Sequence, residues 1–75
     1  MPHVIVKLWP GKSEAQKKEM TQKIVDAVTS SLGYGDESVS VGLEEISPSD
    51  WKEMVYQPDI MDGSGELYKT PGYSM

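Results

Sequence analysis

This chain of 75 residues contains no cysteine, no arginine and no phenylalanine, and it has a single histidine, His3. Without cysteine there can be no disulfide. With one histidine and no thiol there is no ligand cluster for a structural metal. All seven basic residues are lysines, so nothing in the chain can grip a carboxylate or phosphate with a planar two-pronged guanidinium. The net charge of −5 argues against nucleic acid, whose binding depends on neutralising phosphates. No run approaches the ~20 apolar residues of a membrane span, and no apolar signal stretch follows the start. A cytoplasmic protein with no membrane partner is therefore expected. A core of this size rarely supplies more than ~3–5 kcal/mol. With disulfides and metal set aside, association with further copies is the remaining source of stability.

What is present reads as one β-α-β unit and a tail. Residues 3–8 alternate, with Val4, Val6 and Leu8 on one side and His3, Ile5 and Lys7 on the other. Pro10-Gly11 punctuates the chain, and Ser13-Glu14-Ala15-Gln16 has the form of a capping box. The helix that follows runs to about Leu32. Its apolar stripe is Met20, Ile24, Ala27, Val28 and Leu32, its wet face Lys17, Lys18, Gln22, Lys23 and Asp26, and its stop Gly33. A second strand then sets Val39, Val41 and Leu43 against Ser40, Gly42 and Glu44.

A strand, a long crossover and a strand imply a parallel pair with a right-handed connection. Two strands alone are not stable. Two copies joined at their edges give a four-stranded sheet with both helices on one face, an α/β (α+β) architecture. The helices would lie over Val4, Val6, Leu8, Val39, Val41 and Leu43, leaving Ile5 and Gly42 on a face that no second helix covers. Ser47-Pro48 opens a short helix, expected to end near Tyr56 because Pro58 follows. Asp62-Gly63-Ser64-Gly65 reads as a flexible turn, and residues 66–75 as an apolar, aromatic stretch that docks. The chain is thus read as a single domain, with a core over residues 2–46 and an extension over 47–75.

Pro2 follows Met1, and methionine before a small second residue is normally trimmed. Trimming leaves a secondary amine at a sheet edge, a cyclic base whose proton affinity burial can tune. With Met1 attached, the same nitrogen is an amide and cannot act as a base.

Pro2, the segment Gly11-Lys12-Ser13-Glu14-Ala15-Gln16-Lys17, the strand Ser38-Val39-Ser40-Val41 and Trp51 together resemble the tautomerase superfamily, specifically its 4-oxalocrotonate tautomerase-like branch. The ending Tyr68-Lys69-Thr70-Pro71-Gly72-Tyr73-Ser74-Met75 resembles the longer bacterial members with a C-terminal extension, several of which are dimers rather than hexamers. The resemblance runs over residues 2–51 without a gap and rests on joint spacing. It implies Pro2 as the catalytic base, with Lys12, Ser38, Ser40 and Trp51 around the substrate, Trp51 as an aromatic wall. Two departures stand out, since the family's dicarboxylate enzymes carry arginines where this chain has Lys12 and Ser40.

The expected activity is keto–enol tautomerisation of a small phenylpyruvate-like monoacid, with no cofactor and no metal. The expected assembly is a homodimer, with a hexamer as the alternative. Two other readings fit the same fold: a non-catalytic dimeric ligand-binding module, and a hydrolytic dehalogenase of a small unsaturated acid. The second needs strong carboxylate anchoring, which the missing arginines do not provide. His3 is read as facing away from Pro2, and Tyr68 and Tyr73 as packing residues of the tail, with covering the site or donating a proton as the alternative.

Overall fold

The alternation in residues 3–8 produces strand β1 (His3–Leu8), paired in parallel with β2 (Ser40–Glu45) in the computed structural model, which describes residues 1–63 and 65–75. The register sets His3 opposite Ser40, Ile5 opposite Gly42 and Lys7 opposite Glu44 on one face. Val4 faces Val41, and Val6 faces Leu43, on the other. The ladder extends past both ends: the Ser40 N–H donates to the Pro2 carbonyl (3.2 Å) and the Ile46 N–H to the Leu8 carbonyl (2.9 Å).

Helix α1 (Glu14–Leu32) starts and stops on the local signals. The Gln16 N–H donates to Ser13 Oγ (3.1 Å) while the Ser13 N–H donates to Gln16 Oε1 (3.0 Å), so two orphan donors are satisfied reciprocally. Gly33 takes the left-handed conformation (φ 76°) and its N–H reaches the Thr29 carbonyl at 3.0 Å. A side chain at that φ would be strained.

Two assignments on α1 need correction. Lys17 does not face water: its ammonium lies between Glu14 (3.0 Å) and Glu45 of β2 (3.3 Å), with its side chain only 15% exposed. A long methylene stem can lie on the sheet while its charge finds carboxylates, so a lysine can occupy an inward position. Leu32, assigned to the stripe, is 64% exposed because the helix outruns the short sheet.

Beyond β2, a 3₁₀ turn (Pro48–Asp50) leads into a wide π-type helix (Lys52–Met61) that contains Pro58 rather than ending before it. The proline ring normally clashes with the carbonyl four residues back. In a π turn the bonds run five residues back, as the Asp62 N–H does to the Gln57 carbonyl (2.9 Å), and the chain passes Pro58 without breaking. Ser47 caps no backbone donor, its hydroxyl bonding instead to Ser49 and Asp50 side chains. Lys7 on the second sheet face pairs with Asp59 of this helix at 2.5 Å, so that face is not wholly uncovered. The expected 62–65 turn includes Ser64, which lies outside the described residues.

Burial is lopsided. Among the described residues only Ile46, Val55 and Tyr56 are buried, all C-terminal to β2. The residues beneath α1 are half-buried, and α1 itself contributes no buried side chain. Of the aromatic tail, Tyr73 docks while Tyr68 is 92% exposed, so the packing role assigned to Tyr68 does not hold in the single chain.

Candidate active site

Pro2 sits at the N-terminal end of β1, half-buried, with its carbonyl held by the Ser40 N–H. The ladder makes no demand on its nitrogen, which carries no proton to donate. Beside it, Ser40 Oγ and His3 Nδ1 lie 2.6 Å apart, and His3 stands over Gly42, where an added Cβ would lie 3.9 Å from the imidazole. Ser38 falls in a 3₁₀ turn (Asp36–Ser38) just before β2, and its hydroxyl donates to the Gly35 carbonyl at 2.9 Å. Pro2, Ser38 and Ser40 therefore gather at one end of the sheet.

Lys12 and Trp51 gather at the other. Lys12 is exposed in the β1–α1 loop and borders a cavity of about 250 Å³ with Leu8, Gln16 and Met20. Trp51 lines a larger apolar cleft of about 700 Å³ with Leu8, Trp9, Tyr73 and Met75. Its indole N–H donates to the Tyr73 hydroxyl at 3.0 Å. At ~3.3 Å of rise per residue, β1 puts about 20 Å between the two clusters. Within one chain, Pro2 and Trp51 do not meet.

Trp9 and Tyr73, which border the cleft beside Trp51, are not among the site residues that the sequence suggests. Trp9 had a legible signal, since it continues the 3, 5, 7 alternation past the strand end as an exposed aromatic (55%). Tyr73 is legible as a docking aromatic of the tail but not as the partner of Trp51, which lies 22 positions away. Two lysines titrate above the ordinary value: Lys7 through its hydrogen bond to Asp59, and Lys17 through Glu14 and then Glu45. Among the described residues no three His, Asp or Glu side chains converge as a metal site.

The profile of the family described as tautomerase enzyme matches residues 2–52, beginning at Pro2. The chain belongs to the tautomerase family. It is 40% identical over 75 residues to the tautomerase PptA of Pectobacterium carotovorum, covering 99% of both chains, so the extension is shared as well. The PptA of an Escherichia coli O9:H4 strain is 34% identical over the full length of both. Among solved structures, the 4-oxalocrotonate tautomerase homologue TomN of the tomaymycin biosynthetic pathway superposes with a TM-score of 0.65 at 30% identity, over 67% of this chain and 77% of that one. The chain is thus an isomerase of the tautomerase type with the 4-oxalocrotonate tautomerase-like β-α-β fold.

Proposed function

We propose that this tautomerase interconverts the enol and keto forms of a small phenylpyruvate-like monoacid, with the Pro2 amine, freed by removal of Met1, as the base. The observation that carries the reading is the family match starting at Pro2, a residue whose nitrogen the sheet leaves unused. The amine lone pair takes the enol hydroxyl proton, and the O–H electron pair becomes the second bond of the carbonyl. The C=C pair then accepts a proton from the prolinium at carbon, which restores the neutral amine. A positioned base of this kind contributes about 10²–10⁴-fold.

Because Pro2 and Trp51 occupy opposite ends of β1, the complete site takes Pro2, Ser38 and Ser40 from one copy and Lys12 and Trp51 from another. The assembly is a homodimer, and the half-buried residues beneath α1 support it. We place its work in the cytoplasm, a reading supported by the lack, among the described residues, of any helix long and apolar enough to cross a membrane. The test is turnover of phenylenolpyruvate by processed wild type, by protein retaining Met1, and by processed Pro2→Ala, with intact mass confirming each N-terminus. The Met1 form should be inactive and Pro2→Ala strongly impaired at unchanged melting temperature. Full activity in either sinks the role of Pro2.

A further inference from the structure

Both tryptophans of the chain, Trp9 and Trp51, line the same cleft of about 700 Å³. Its third wall comes from the tail, in Tyr73 and Met75. Tyr73 is fixed twice: its hydroxyl accepts the Trp51 N–H at 3.0 Å, and its ring lies 5.8 Å from that of buried Tyr56, tilted by 38°. The hydrogen bond engages the polar edge of the Trp51 indole, so the cleft meets a ligand chiefly with ring faces and a thioether, the Tyr73 hydroxyl and the Trp9 indole N–H being the polar groups beside them. Such walls favour an aromatic guest through offset and edge contacts and through sulfur. The cleft's one lysine, Lys7, is already paired with Asp59 at 2.5 Å. The cleft's described residues thus offer a carboxylate no unpaired cation, so the apolar end of a ligand is the end that enters. The volume lies in the range of small-molecule sites.

We propose that Tyr73, clamped onto Trp51, is a specificity-determining wall through which the C-terminal tail selects an aryl group over an alkyl chain. This deepens the tautomerase reading, in which Trp51 borders the substrate, and rests on it. The ring occupies the cleft, and the enol end projects toward the Pro2 of the other copy.

Since both tryptophans line the cleft, intrinsic fluorescence reads occupancy without turnover. Titration with 3-phenylpropanoate and with hexanoate, a carboxylate of comparable hydrophobicity, compares the two guests in the full-length protein. Wild type should bind the aryl acid about threefold to tenfold more tightly, the range aromatic contacts provide. Tyr73→Ala should abolish that preference. Tyr73→Phe keeps the contact with Tyr56 and hence the fold, but loses the clamp, and should lower the preference at least about twofold. Equal affinities in wild type, no fluorescence response to either acid, or an unchanged ratio in Tyr73→Phe overturns the proposal. Repeating the titration with Pro2→Ala separates the two readings. Aryl preference that persists while turnover is lost supports both, and preference with Pro2-independent turnover removes only the base. Loss of preference with Pro2-dependent turnover intact removes only the wall.

Discussion

Ser40 Oγ lies 2.6 Å from His3 Nδ1, while the Ser40 N–H donates to the Pro2 carbonyl, so one residue ties the imidazole to the end of the sheet that carries the proposed base. The resemblance to the family's dicarboxylate enzymes implies an arginine at the position Ser40 holds here. A diacid needs a second cationic anchor, and this end of the sheet offers a hydroxyl already engaged with His3. A hydrogen bond to a charged group contributes about 1.5–3 kcal/mol, or roughly 10–100-fold in specificity. Phenylenolpyruvate should therefore be processed better than 2-hydroxymuconate, Ser40→Arg should narrow the gap, and Lys12→Ala should weaken both. The check is kcat/KM for the two substrates in the three proteins. A wild-type preference for the diacid would mean that other groups hold its second carboxylate.

Local rules accounted for most of the frame. The Ser13/Gln16 box, the Gly33 cap and the period-two strands all appear where the residues indicate, because each depends on neighbours within four positions. Pro58 misled, since a proline stops an α-helix but a π turn admits it. Lys17 misled because charge says nothing about where a methylene stem lies. The candidate site was legible as a set of residue types but not as a place. Its division into two clusters follows from the length of β1, whereas the Trp51–Tyr73 bond joins segments with no local sequence relation.

Among the described residues only three side chains are buried, all C-terminal to β2, which is a small core for a chain of this size. The half-buried strand residues and the exposed Ile5 (52%) need cover, and an unpaired sheet edge needs a partner. Sedimentation at micromolar concentration should show a dimer or larger species. A folded monomer there would refute the assembly and, with it, a site shared between copies.

Lys17 bridges α1 and β2 through Glu14 and Glu45, which raise its pKa above the ordinary 10.5. The folded state therefore favours the ammonium. Its stabilisation is complete below pH 10.5 and is lost as the pH rises through the folded value. Lys17→Met keeps the stem but removes the charge, so wild type should melt higher at neutral pH and the difference should close above pH 10.5. Thermal melts by circular dichroism across that range decide it. A difference that persists unchanged would assign the effect to packing.

The separation of Pro2 from Trp51 leads to the most discriminating experiment. If each site takes Pro2 from one copy and Trp51 from the other, Pro2→Ala and Trp51→Ala damage different halves of the same site. In a heterodimer of the two variants, one site receives both lesions and the other receives neither. Random re-association of an equal mixture makes about half the dimers mixed, so about one site in four is restored in a two-fold assembly. Turnover of phenylenolpyruvate should rise, on mixing through a denature–refold step, well above the mean of the two separate variants. Mixing without subunit exchange should give only that mean, which serves as the control. If the refolded mixture also stays at the mean while sedimentation confirms heterodimers, Pro2 and Trp51 do not share a site. Trp51 would then be a packing residue for Tyr73, and the base would work with groups of its own chain, His3 and Ser40 foremost.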